Sequence, residues 1–246
     1  MNKQTFTQTL DKIFDDNLPF SLTDKQKEQM FVLSKTLSET NKVMNLTAIT
    51  DEKGIILRHI VDSLLISGNI SANSTIIDIG CGAGFPSLPL AILRPDLQIT
   101  SVDSTEKKIN FVKSTAQLLG LDNICTVCDR AEELAYLPQY RESFDFATAR
   151  AVAVLPVLCE LTLPFVKVGG SLVAMKAKDA ISELADSEKA IEILCGHNST
   201  KNVTLFKAAL HTDEGSESRT IIKIFKTEPT PKNYPRRYAQ IKKSPL

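Results

Sequence analysis

The run TIIDIGCGAGFPSLPLAIL, residues 75–93, constrains this chain more than any other segment. It reads as a hydrophobic strand ending around Asp78, a turn holding Gly80, Gly82 and Gly84, and a helix that begins near Pro86. Glycine admits positive φ and removes the Cβ that would keep the backbone away from a ligand. Proline suits a first helical turn, because the N–H it lacks has no intrahelical partner there. A strand, a glycine turn and a helix in that order predict the first unit of a doubly wound α/β sheet, whose ligands lie outside the carboxyl ends of the strands.

The flanking sequence extends the pattern. Strand-like stretches at 75–79, 98–103, 123–128, 144–149 and 171–176 alternate with helical stretches at 87–94, 106–119, 152–165 and 179–195. Such alternation predicts a mostly parallel sheet covered on both faces. Two further strand-like runs, 203–210 and 219–226, are joined by the polar HTDEGSES without a helix, which predicts an antiparallel edge. Ahead of the first strand, Met30, Leu33 and Leu37 make a stripe at helical spacing after Thr23. A second helix is expected near Thr50, its hydroxyl as cap, with Ile56, Ile60, Leu64 and Leu65 facing inward. The expected organisation is a helical extension over 1–70, an α/β domain over 71–228 and a basic tail over 229–246.

Composition enters as a set of limits. At 246 residues the chain can bury a core without disulfides or a metal. Hydrophobic residues at 43% and charged residues at 24% exclude a disordered, collagen-like or coiled-coil protein. Lys and Arg number 29, as do Asp and Glu, so a nucleic-acid partner must be met by a local basic patch. The tail offers one, with Lys232, Arg236, Arg237, Lys242 and Lys243 and no acid. The polar MNKQTFTQTL lacks a signal peptide's apolar segment, and no stretch approaches the roughly 20 apolar residues that cross a bilayer. Five scattered cysteines suit a reducing compartment, so a cytoplasmic location is expected. Cys125 and Cys128 spell a lone CxxC on a strand, where residues three apart face opposite ways, and no metal is expected there.

Glycine spacing then separates the ligands. A dinucleotide site reads GxGxxG, with pyrophosphate on the helix amino terminus; here the spacing is GxGxG, with Asp78 two residues before it. That carboxylate repels a pyrophosphate and attracts an ammonium group, directly or through water. S-adenosylmethionine carries an ammonium beside a cationic sulfur. Asp103 ends the next strand about 20 residues beyond the last glycine, where an acid accepts from ribose hydroxyls. Asp129, Ala131 and Glu132 follow the third strand and are expected at the adenine, although Asp129 and Glu132 also spell a capping box. NAD or FAD, and a tight turn without a ligand, are the alternatives.

After the fourth strand, FDFATARAVAVLP lacks the Asn-or-Asp, Pro-Pro and aromatic pattern common in amino-group methyltransferases, and no Pro-Cys loop offers a nucleophile for a pyrimidine. Arg150 ends that strand instead, where it can pair with an acid near the cofactor or hold a phosphate. Asn45 and Thr47 can face a substrate, and Lys176, ending the fifth strand, can reach a phosphate or simply cover apolar surface. Arg58, His59 and Asp62 share a helix face, at spacings that suit a local ion pair.

Together with NLTAIT, RHIVDSL, VDS, DRAEE, TARAVA, AMKA and the terminal YPR and KSPL, the glycine run resembles the bacterial glucose-inhibited division protein B family from about Asn45 to Leu246. That family comprises small-subunit ribosomal RNA methyltransferases that modify guanine N7. The resemblance implies a class I S-adenosylmethionine-dependent methyltransferase fold, Rossmann-like, with an N-terminal helical cap. It implies cofactor contacts at Gly80, Phe85, Ala131, Glu132 and Arg150, and a partner that is small-subunit ribosomal RNA or the ribosomal particle, with no DNA, membrane or metal. Two positions depart from the family pattern: Ser87 follows Phe85-Pro86 where many members have glycine, and Tyr238-Ala239 stands where a glycine turn is common. Guanine N7 is a bare acceptor, so no general base is expected, and Arg150, Asn45 and Lys176 are the side chains expected around the reacting atoms. Three rival readings are a methyltransferase for a small molecule or protein, a nucleotide- or S-adenosylmethionine-binding regulatory module without activity, and an NAD-dependent oxidoreductase.

Overall fold

The computed structural model describes residues 1–150, 152–176, 180–196, 201 and 203–246. Seven strands, β1 (Thr75–Ile79), β2 (Gln98–Asp103), β3 (Ile124–Cys128), β4 (Phe144–Arg150), β5 (Val166–Lys176), β6 (Val203–Thr212) and β7 (Gly215–Phe225), form one sheet in the order β3-β2-β1-β4-β5-β7-β6. β1 to β5 are parallel to one another, whereas β7 is antiparallel to both β5 and β6. Strand order reverses between β1 and β4, so the carboxyl ends of these two strands flank the crevice that such a sheet offers a ligand.

Alternation along the strands divides the core. Ile77, Ile79, Ala147 and Leu172 pack with Leu158 and Leu194 on one face. Ile76, Ile99, Phe146 and Val173 pack on the other with Leu37, Ile60, Leu88 and Val112. The second face is therefore covered partly by the amino-terminal helices, α1 (Lys3–Asn17) and α2 (Asp24–Met44), which share one core with the sheet. Thr23 caps α2 in a capping box with Gln26, and Met30, Leu33 and Leu37 are wholly buried. The helix stops at Asn45 in the left-handed region (φ 49°), which Asn tolerates better than most residues.

The next rod differs from expectation. Asp51, not Thr50, is its cap, accepting the Gly54 N–H at 2.7 Å; a carboxylate also suits the positive end of the helix dipole. Between α3 (Glu52–Gly54) and α4 (Asp62–Leu64) the rod is π-helical over Ile55–Val61. Ile56, Ile60 and Leu64 are buried as expected, and Leu65 is half-buried.

Remaining helices are α5 (Ser87–Leu93), α6 (Glu106–Leu119), α7 (Ala131–Leu134), α8 (Leu155–Thr162), α9 (Ala180–Asp186), α10 (Glu188–Cys195) and α11 (Tyr238–Lys243). The stretch expected to be helical over 152–165 holds α8 and a 3-10 turn at Leu163–Phe165, and the one at 179–195 divides at Ser187, with residue 179 outside those described. The polar HTDEGSES is mostly strand rather than loop: His211 pairs with Ser216 and Thr212 with Gly215, leaving Asp213 and Glu214 as a two-residue turn. Tyr238 begins α11, and the tail lies docked on the domain. Cys125 and Cys128 are both exposed on β3, an edge strand. Among the described residues no helix is long and apolar enough to cross a membrane.

Candidate functional site

The glycine turn is tied to the sheet by its own backbone. Gly80 and Cys81 donate their N–H groups to the Val102 carbonyl at 2.8 and 3.0 Å, and Gly84 and Phe85 donate to the Cys81 carbonyl at 2.9 and 3.1 Å. Gly84 (φ +84°) lies against α5, where a Cβ would stand 2.5 Å from Leu88 Cδ1. Gly82 (φ +57°) is different: a Cβ there would meet nothing within 4 Å, so its bare face looks into open space.

Two strand-end acids adjoin this turn, and one of them holds it. Asp103, at the end of β2, accepts the Gly82 N–H on Oδ2 at 3.1 Å and the Thr105 N–H on Oδ1 at 2.9 Å, with Lys108 Nζ at 3.5 Å. Asp78 is wholly buried. Ser87, the first residue of α5, donates its hydroxyl to Asp78 Oδ2, while Asp78 Oδ1 is buried without a partner among the described residues. Burial pushes the Asp78 carboxyl up to about 7, although the Ser87 hydroxyl and the Arg150 charge pull the other way. Ser87 is helical, so its position does not require glycine.

At the exit of β3, Ala131 begins α7 and Glu132 is buried. The expected capping box does not form: Asp129 accepts the N–H of adjacent Arg130 at 2.7 Å, and Glu132 is taken by Arg130 Nε at 2.6 Å instead of reaching back to a cap. An arginine interposed between the two acids outcompetes the backbone for Glu132.

Arg150 ends β4 within a dense cluster. Its Nη1 donates to the Arg58 carbonyl at 2.8 Å and lies 3.4 Å from Asp62 Oδ2, and its guanidinium sits 5.5 Å over the Phe85 ring. Nη2 lies 3.2 Å from His59 Nδ1. A guanidinium has no acceptor, so Nδ1 accepts and the ring proton resides on Nε2, which donates to Thr47 Oγ1 at 2.8 Å. Burial, then the Arg150 charge, push His59 down to about 4. His59 also stacks on Phe85, with centroids 4.7 Å apart. Asp62 is shared with Arg219 Nε at 2.8 Å, and Arg219 Nη2 reaches Glu217 at 2.9 Å. The expected local Arg58–Asp62 pair is absent; Arg58 reaches Glu217 on the hairpin at 2.7 Å.

The other sequence candidates lie apart. Asn45 is exposed at the end of α2, and the following loop is held by Asn41, which accepts the Thr47 N–H and donates to the Thr47 carbonyl, both at 2.8 Å. Lys176 is engaged by the Ala153 carbonyl at 2.6 Å and Glu183 at 2.7 Å, tying the end of β5 to the segment before α8. Sequence reading missed Arg219, Asn41 and the Ser87–Asp78 bond. Arg219 has only one local signal, a cation heading an apolar strand.

A family model described as rRNA small subunit methyltransferase G, GidB, matches residues 26–211. A protein of that name from Leuconostoc citreum (strain KM20) is 45% identical over 230 residues, covering 92% of this chain and 93% of the relative. Another from Streptococcus pyogenes serotype M1 is 42% identical over 249 residues and covers all of both chains. Among solved structures, an O-methyltransferase from Bacillus cereus in complex with SAH is similar with TM-score 0.53 at 17% identity, over 91% of this chain and 100% of that one. The [4+2]-cyclase SpnF is equally similar in fold, with TM-score 0.53 at 14% identity over 86% and 99%. A transferase and a cyclase on one scaffold show that these structural likenesses carry the fold alone. The family match and the full-length relatives carry more: the chain belongs to the rRNA small subunit methyltransferase G family.

Proposed function

We propose that the crevice between β1 and β4 binds S-adenosylmethionine and that the protein transfers its methyl group to N7 of a guanine in small-subunit ribosomal RNA, in the cytoplasm. The observation carrying this reading is the buried Asp78, with one oxygen unpartnered beneath a glycine turn whose Gly82 faces open space. A buried carboxylate lacking a partner is costly, and the ligand's ammonium, or a water bound to it, answers that cost. Asp103 suits the ribose end, and Ala131 and Glu132 suit the adenine end. The residues present therefore fit the cofactor, which when bound supplies an electrophilic methyl on a cationic sulfur.

The side chains around Arg150 favour N7 over a protonated nucleophile. Both His59 nitrogens are engaged and Asp62 is shared by two arginines. Neither is poised to take a proton. N7 needs no base, because it attacks with a lone pair and releases no proton. What remains for the protein is alignment, worth roughly 7–11 kcal/mol in favourable cases. Phe85, with the hydrogen-bonded pair of His59 and Arg150 packed together against its ring, offers an apolar surface beside the turn for that purpose. Lys176 braces the end of β5 through Glu183 and the Ala153 carbonyl rather than touching phosphate.

Incubation with a labelled methyl donor and ribosomal small subunits, followed by nucleoside analysis, tests the reading. Label in N7-methylguanosine is expected. Label on another atom, or on free nucleosides only, contradicts it, and donor binding without product would make the protein a regulatory module.

A further inference from the structure

The last eighteen residues are far from a loose tail. Arg236 grips wholly buried Glu160 of α8, with Nε at 2.9 Å from one oxygen and Nη2 at 2.7 Å from the other. Arg141 donates to the carbonyls of Thr230, Pro231 and Tyr234 at 2.9, 3.1 and 2.9 Å, and the Tyr136 hydroxyl donates to the Pro235 carbonyl at 2.6 Å. Ile241 is wholly buried against Val157 and Leu161. A buried ion pair adds little stability over an apolar contact; combined with these backbone clamps, it sets where the segment lies.

With Arg236 committed to that anchor, Lys232, Arg237, Lys242 and Lys243 remain exposed, and none has an ion pair among the described residues. Residues 229–246 contain no acid, while the rest of the chain has a net charge of −5. Arg130 is not part of this surface, because Glu132 and Glu133 already flank it. The segment borders α7 across a cleft of about 500 Å³ lined by Glu132, Tyr136, Arg237 and Tyr238, and α7 starts at the carboxyl edge of the sheet, as the glycine turn does. Exposed cations without an ion pair, beside a cleft whose Glu132 and Glu133 are already met by Arg130, fit an extended polyanion.

Resting on the reading that the substrate is ribosomal RNA, we propose that residues 229–246 form a rigid docking surface for the RNA phosphate backbone, with Lys232, Arg237, Lys242 and Lys243 touching the phosphates. The test compares wild type with K232Q/R237Q/K242Q/K243Q, with the smaller K242Q/K243Q, and with the charge-keeping K232R/K242R/K243R. Affinity for ribosomal small subunits is measured across salt concentrations, alongside S-adenosylhomocysteine affinity and thermal stability. The quadruple variant should bind subunits at least about 10-fold more weakly, and its log–log salt dependence should flatten by about 0.7–0.9 for each phosphate it no longer neutralises. K242Q/K243Q should fall between it and wild type, the arginine variant should match wild type, and ligand affinity and melting should not move. Unchanged subunit affinity and salt slope in the quadruple variant would overturn the surface, as would equal losses in the arginine variant or wild-type capture by anionic vesicles in preference to RNA. Methyl transfer is read separately. RNA binding through this segment without N7 methylation would refute the proposed reaction and keep the surface; N7 methylation undiminished in the quadruple variant, with wild-type binding, would do the reverse.

Discussion

Arg150 donates to Nδ1 of His59 at 3.2 Å, and this bond sets the tautomer of a ring that burial, and then the Arg150 charge, keep neutral. Because His59 is pushed down to about 4, the unfolded chain binds a proton between pH 6.5 and 4 that the native protein does not. His59 therefore subtracts stability as pH falls through that window, by at most about 3 kcal/mol. Ring titration by NMR should give a His59 midpoint near 4; a midpoint near 6.5 would contradict the arrangement. His59→Phe keeps the stack on Phe85 but loses the acceptor, and should slow methyl transfer roughly 10–100-fold, the worth of a hydrogen bond to a charged group.

Asp78 behaves in the opposite sense. Its folded value of about 7 lies above the ordinary 3.8, so the native state holds the extra proton between those values. Stability gains as pH falls from 7 to 3.8, and above pH 7 the buried charge costs its full amount. Asp78→Asn should raise stability at pH 8 by on the order of 2–4 kcal/mol while weakening S-adenosylmethionine binding about 10-fold or more. Thermal melting and calorimetry check both signs together. A destabilised variant with unchanged affinity would remove the role given to Asp78.

Ser87 tunes that carboxylate. Its hydroxyl donates to Asp78 and so favours the charged form. In Ser87→Ala or Ser87→Gly the pH below which S-adenosylhomocysteine affinity falls should move upward, because Asp78 takes its proton earlier on acidification. The ligand's own titration is common to both proteins and cancels in the comparison. Superimposable affinity–pH curves would show that the hydroxyl does not act on Asp78.

Local structure is readable in the sequence where it is set by neighbours along the chain. The first two strands match expectation, and α6 spans the predicted 106–119, because apolar periodicity and glycine punctuation act over a few residues. The same holds for the glycine turn and for the strand-end positions of Asp103 and Arg150. Contacts closed by the fold were not readable. Asp62 finds Arg219 across 157 residues, and Arg236 finds Glu160 across 76. The i,i+4 rule instead pointed Arg58 at Asp62, a local partner that lost to the hairpin's Glu217. Lys176 shows the same limit: nothing local announces that Glu183 and the Ala153 carbonyl are its partners.

The glycines separate binding from folding. A Cβ on Gly84 would collide with Leu88 at 2.5 Å, whereas one on Gly82 meets open space. Gly84→Ala should therefore destabilise the fold by about 2 kcal/mol or more, combining left-handed strain with overpacking. Gly82→Ala should cost only about 1–2 kcal/mol of backbone strain yet sharply weaken cofactor binding. Chemical denaturation and ligand titration of the two variants test the division, and equal losses of affinity at equal stability would deny it.

The most direct measurement is a crystal of the protein soaked with S-adenosylhomocysteine. Density should run from the Gly82 turn past Asp103 to Ala131 and Glu132, with the amino-acid end above Asp78. Density elsewhere, with this crevice empty or filled by side chains, would contradict the account.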